Sequence, residues 1–155
     1  MSFSITILAV GKKYAPLDEE AERYALLIRP HALVGMTVIK SPSPLESSAK
    51  EKLAQEGKAL RSKWPAGAYP IALSEEGALM RSVRFSEWLN NLLQRHRKLV
   101  FTIGGAYGLS PALKGECREV ISLSPLTLPH KLCMVVLIEQ IYRAFTILHH
   151  HPYHK

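Results

Sequence analysis

Cysteine is almost absent from this chain: Cys117 and Cys133 are the only two among 155 residues, and they form no C-x-x-C pair. That excludes a disulfide scaffold and a cysteine-based metal motif, and it points to unpaired thiols in a reducing compartment. No apolar run approaches the roughly 18 residues needed to cross a membrane, and nothing in the first residues reads as a signal segment. A soluble, cytoplasmic protein is expected. Acidic residues are also scarce, 13 against 20 lysines and arginines, giving a net charge of +7 and a pI near 9.5. This balance favours a polyanionic partner such as nucleic acid without identifying one. No linker or repeat divides the sequence, so 155 residues read as one domain that buries about two-thirds of its unfolded surface.

What is present is a regular alternation. Ser4 to Val10 reads as a strand and Leu17 to Ile28 as a helix, with Asp18, Glu19 and Glu20 in its first turn and Pro30 beyond its end. Leu33 to Ile39 reads as a second strand, and Leu45 to Arg61 as a polar outer helix after the turn-rich Ser41-Pro42-Ser43-Pro44. Tyr69 to Leu73 is a third strand; Phe85 to His96 carries Phe85, Trp88, Leu89, Leu92 and Leu93 on one helical face. Strands at Leu99 to Ile103 and Glu119 to Leu123 follow, then a helix opened by Pro129. The expected fold is α/β, a mainly parallel sheet sandwiched by helices.

The last third concentrates the chemistry. Gly104-Gly105-Ala106-Tyr107-Gly108-Leu109-Ser110 follows an interior strand, and glycines there let backbone approach a ligand closely. The loop Ser124 to His130 follows the next strand, so the two strand-end loops are expected side by side at the carboxyl edge of the sheet, where open parallel sheets bind ligands. Tight-turn and core roles account for the same glycines and leucines. The G-G-x-x-G spacing is not the dinucleotide G-x-G-x-x-G, and no acidic residue lies between Glu119 and Glu139 to hold a ribose, which disfavours NAD. The final helix leaves almost no polar face from Val135 to Leu148, which favours a second subunit covering it. Arg143 stands four residues after Glu139, the spacing of a helical ion pair. It also offers a flat guanidinium to a phosphate or a uracil carbonyl. His149, His150, His151 and His154 crowd the tail, but without interleaved cysteine or acid they make a poor zinc site. Tyr153, His154 and Lys155 instead suit RNA.

The residues Gly104-Gly105, Gly108-Leu109-Ser110, Leu123-Ser124, Leu126-Thr127, Pro129-His130, Tyr142-Arg143-Ala144 and His151-Pro152-Tyr153-His154-Lys155, with the opening Ile5 to Lys12, resemble the ribosomal large-subunit methyltransferase H family of the SPOUT superfamily. The resemblance implies a trefoil knot in the C-terminal third, a homodimer, and S-adenosylmethionine (SAM) as methyl donor without a metal. It also implies methylation of N3 of a pseudouridine in the large-subunit ribosomal RNA hairpin at the subunit interface. The substrate would be the assembled ribosome; neither DNA nor a membrane is a partner. On this match Leu73, Gly104, Leu123, Ser124, Pro125, Leu126, Thr127 and Leu128 would line the cofactor pocket. Arg143, Tyr153 and His154 would position the substrate or transfer its proton, the tail reaching the base across the dimer. His130 reads as structural at the helix start. Two departures stand out: Ser74, ahead of Glu75 and Glu76, occupies the usual place of an acid, and Met134 that of an arginine. A non-catalytic ribosome-binding factor and a transfer RNA methyltransferase of the same superfamily are the competing readings; cofactor affinity separates the first, substrate choice the second.

Overall fold

The computed structural model describes residues 2–155. Its elements run β1 (Phe3–Val10), α1 (Ala15–Ile28), β2 (Ala32–Ile39), α2 (Ala49–Ser62), β3 (Tyr69–Leu79), α3 (Ser82–His96), β4 (Lys98–Ile103), α4 (Pro111–Glu116), β5 (Glu119–Ser122) and α5 (His130–Leu148). All strand pairs are parallel and the sheet order is β2-β1-β4-β3-β5. The near-continuous apolar strands follow from burial on both faces. Ile5, Ile7 and Ala9 of β1 join one core with α1, α3 and α5. The alternate residues Leu8 and Val10 join Val100, Leu60 of α2 and Leu113 of α4 in a second core. Phe101 of β4, the middle strand, is wholly enclosed.

Local chemistry sets the boundaries that differ from the sequence reading. The polar helix starts at Ala49 rather than Leu45 because the Ser48 hydroxyl accepts the Glu51 N–H and caps it there. The short α4, not anticipated, starts the same way: Ser110 accepts the Leu113 N–H at 3.1 Å and Pro111 occupies the first turn. Strand β3 runs six residues past Leu73, interrupted by an excursion, so that Leu73 and Ala78 both pair with Ile121. Gly77 makes this approach possible, since a Cβ there would lie 2.5 Å from the Ile121 carbonyl carbon. The loops after β4 and β5, expected side by side from the sequence, are not direct neighbours, because β3 pairs with both strands and separates them. Both loops nevertheless line one cavity together with Leu73, Ser74 and Glu75.

Candidate functional site

Because every strand runs the same way, all five carboxyl ends open on one edge, and there a single cavity of about 1250 Å³ is lined from the β2 end to the β5 loop. Leu73, Gly104, Leu123, Leu126, Thr127 and Leu128 line it; Ser124 and Pro125 do not. Ser124 shapes the loop: its hydroxyl accepts the Leu126 N–H at 2.9 Å, and its carbonyl accepts the Ser122 hydroxyl at 2.8 Å. The glycine turn is closed by Gly108 N–H donating to the Gly105 carbonyl, with Gly108 at φ +76°. Gly104 lies so close to this turn that a Cβ would sit 2.2 Å from Gly108 C and O.

The β3 excursion brings acid into the wall one position after Ser74. Glu75 accepts the Thr127 hydroxyl at 3.0 Å and lines the cavity, whereas Glu76 turns away to pair with Lys114. At Met134 the side chain is 2 % exposed and apolar, inside the core. A cation stands one turn earlier, where the buried Lys131 ammonium pairs with Asp18 and lines the cavity. His130 is wedged over Gly11, its Nε2 sealed from solvent and without a partner. Burial, and then the Lys131 charge, hold its imidazole below the ordinary 6.5. It is therefore neutral at pH 7.

A second cluster forms around the far end of α5. Arg143 donates to Glu139 Oε1 through Nε at 3.0 Å and Nη2 at 2.7 Å, and to His154 Nδ1 through Nη1 at 3.2 Å. The Tyr153 hydroxyl donates to the same Glu139 oxygen at 3.1 Å, and the guanidinium lies 4.8 Å from the Tyr153 ring centroid. The Glu139 hydrogen bonds push the Arg143 pKa up further, and burial pushes the Tyr153 phenol well above its ordinary value. The helical ion pair therefore forms, and the tail folds onto it. His130 and Arg143 are thirteen positions apart on one helix, about 20 Å at 1.5 Å per residue. Within one chain, then, the cavity and the Arg143–Tyr153–His154 cluster are separate.

A family model described as "Predicted SPOUT methyltransferase" matches residues 3–154. The chain belongs to the SPOUT methyltransferase family. Proteins named "Ribosomal RNA large subunit methyltransferase H" from Neisseria gonorrhoeae and Ralstonia pickettii are each 38% identical to it, over 98% and 97% of this chain and 99% and 98% of theirs. One from Nitratiruptor is 34% identical over 97% of this chain. A solved structure titled "Probable Methyltransferase from Bordetella pertussis Tohama I" shares the fold with TM-score 0.56 at 13% identity, covering 92% of this chain and 94% of that one.

SPOUT methyltransferases use SAM, and the cavity suits it. Leu73, Leu123, Leu126 and Leu128 offer apolar walls for an adenine, and the cradle at Gly104 brings backbone donors and acceptors within reach. Among the described residues no group of three or more His, Cys, Asp or Glu side chains is arranged to hold a metal, and no helix is long and apolar enough to cross a membrane. Sequence reasoning passed over Gly11, Lys12, Lys40, Ser41 and Glu56, which also line the cavity of this SPOUT methyltransferase. The available signal was positional: Gly11 to Lys13 and Lys40 to Ser43 directly follow parallel strands, as Gly104 does.

Proposed function

We propose that this protein is a SAM-dependent large-subunit ribosomal RNA methyltransferase acting on N3 of a pseudouridine in the assembled ribosome, in the cytoplasm, as a homodimer with a C-terminal trefoil knot. Identity of 34–38% over nearly the full length to three proteins named as large-subunit ribosomal RNA methyltransferases supports the activity. The observation that carries the site is the separation along α5. Cys133, where the cavity wall ends on α5, lies ten positions, about 15 Å of helix, from Arg143 of its own chain, so an Arg143 cluster that serves a cofactor held there would belong to the partner subunit. Exposed apolar residues suit that pairing: Leu26 and Leu27 of α1 and Leu132 and Val136 of α5 are 64, 40, 41 and 36 % exposed in the single chain. For the knot, the support is the passage of the chain from β4 past β3 to β5 before α5 returns beneath β1 and β4.

Leu73, Gly104, Leu123, Leu126, Thr127 and Leu128 would hold the cofactor. When bound, SAM supplies a methyl group activated by its sulfonium. The rest falls to positioning and electrostatics. Three of the five Arg143 N–H groups are committed to Glu139 and His154. The two that remain are directed at the carbonyls flanking N3, where negative charge develops as the N3 proton leaves. Glu139 fixes the guanidinium, and Tyr153, protonated throughout the neutral range, fixes Glu139. An arginine only donates, so His154 Nδ1 accepts and the neutral ring carries its proton on Nε2. In this arrangement His154 orients substrate as a donor and leaves the N3 proton to solvent.

The test is transfer of labelled methyl from SAM to assembled ribosomes, separated subunits and free transfer RNA, with nucleoside mass spectrometry of the product. N3-methylpseudouridine from assembled ribosomes is expected. Modified transfer RNA alone, or SAM binding without transfer to any of the three, would displace this reading.

A further inference from the structure

The cavity is larger than one cofactor requires, and its two halves differ in chemistry. Small-molecule sites run to roughly 300–1,000 Å³, against about 1250 Å³ here. The half at the ends of β3, β4 and β5 is apolar and backbone-rich. The side at the ends of β1 and β2 holds Lys12, Lys13, Lys40 and Ser41, and Glu56 of α2 stands between it and Gly105 of the glycine turn. A hydrogen bond from Gly11 N–H to the Ile39 carbonyl at 2.9 Å ties the two strand ends together, so these lysines sit on one wall. Among the described residues Lys12 and Lys40 have no carboxylate within ion-pair distance, and the Lys131 charge nearby is already matched by Asp18. Ser41 Oγ on this side and Glu56 Oε1 at its border are buried and have no hydrogen-bond partner among the described residues. Buried polar atoms are normally satisfied, so this half has the character of a site whose ligand completes it.

SAM does not match the lysines, although its own ribose hydroxyls would answer Glu56 and Ser41 as an RNA sugar does, so the lysines decide between the two. SAM carries a sulfonium and an ammonium against a single carboxylate, so three lysines repel it on balance. A nucleic-acid strand matches well: its phosphates attract the lysines, and a ribose hydroxyl both donates and accepts, which answers a carboxylate oxygen and a serine hydroxyl together. Glu56 would repel a phosphate placed on it, so the carboxylate faces sugar rather than phosphate.

Resting on the proposed function, we infer that the β1–β2 half of the cavity seats the RNA strand next to the methyl acceptor. Lys12, Lys13 and Lys40 lie on its phosphates, and Glu56 with Ser41 lies on a sugar hydroxyl. The cofactor and the strand then share one continuous cavity.

The experiment compares the wild type, Lys12→Ala/Lys40→Ala and Glu56→Gln by co-sedimentation with assembled ribosomes across a KCl series, by calorimetric SAM affinity and by methyl transfer. The double lysine variant is expected to bind ribosomes about tenfold more weakly near physiological salt, with a log–log salt slope shallower by roughly 0.7 per lysine. Its SAM affinity stays within about twofold of wild type. Glu56→Gln is expected to keep the salt slope and to weaken ribosome binding several-fold. Unchanged slope and affinity in the lysine variant would make these lysines a solvated surface and overturn the inference. So would a fall in SAM affinity at unchanged slope, which assigns this half to the cofactor. Tighter binding by Glu56→Gln would place phosphate on Glu56 and overturn the sugar assignment. Co-sedimentation does not require turnover, so a wild type that binds ribosomes but transfers no methyl group refutes the proposed function while leaving this comparison readable.

Discussion

Replacing Gly104 by alanine adds one methyl group where there is no room for it. The new Cβ would stand 2.2 Å from both C and O of Gly108 and 2.8 Å from Leu109 N. Ordinary contacts need more than 3 Å, and the opposing atoms are backbone, so no rotamer change relieves the clash. The Gly108–Leu109 peptide must retreat by about an ångström, and overpacking of this kind costs roughly 1–3 kcal/mol. For a chain of this size that corresponds to a Tm lower by roughly 2–12 °C. The displaced turn forms the cavity wall, so SAM affinity should fall at least about tenfold, or 1.4 kcal/mol. Gly115→Ala is the control: that glycine lies in α4, a Cβ there meets nothing within 4 Å, and Tm should hold or rise slightly. Calorimetric SAM titration and thermal melts read both. Wild-type affinity in Gly104→Ala would mean that this turn does not border the cofactor.

Three further outcomes follow from the same geometry. Gly11→Ala would place a Cβ 1.8 Å from His130 Nε2, so the ring must leave its slot; SAM affinity and Tm should both drop, and unchanged values would show that the ring is free to move. Arg143→Lys cannot hold Glu139, His154 and a uracil carbonyl at once, so kcat should fall roughly 10²-fold while SAM affinity is retained; a loss confined to SAM affinity would contradict its placement. His31 stacks between Phe145 and His149 at 5.1 and 4.3 Å, and burial, then His149 and His151, lower its pKa from 6.5. A lowered folded pKa means the unfolded chain binds the proton first. The stability it contributes is therefore full above 6.5 and is lost as pH falls through the lower folded value. Tm should decline between pH 7 and 5, and His31→Phe should flatten that decline; an identical profile would remove His31 from it.

The sheet was legible because interior parallel strands must be apolar on both faces, and Leu99 to Ile103 or Ser4 to Val10 admit little else. Strand order was not legible. Nothing in Glu119 to Ser122 says that it pairs with β3 rather than β4, since long-range pairing leaves no local mark. The Ser110–Pro111 start of α4 was readable as a cap and first turn, but the glycine turn before it drew the segment into a loop. The part of the cavity proposed for the cofactor was reached through glycines and a matching motif. The lysine half was not, because Lys12 and Lys40 acquire meaning only when β1 and β2 bring their ends to the same edge. Arg143 was singled out as a charge on an apolar helix. Its distance from the cavity emerged only once both ends of α5 were placed.

The measurement closest to the centre of this account mixes two impaired variants, assayed at a SAM concentration well below the Kd of Gly104→Ala. Gly104→Ala removes the cofactor cradle and Arg143→Ala the positioning guanidinium, and the two are co-purified as randomly paired dimers and assayed for methyl transfer to ribosomes. If each site joins the cavity of one subunit to the Arg143 cluster of the other, half the dimers are mixed and each has one intact site. Activity should then return to about a quarter of wild type. No recovery, with mixed dimers verified by mass, would place cavity and cluster of one site in the same chain and contradict the account.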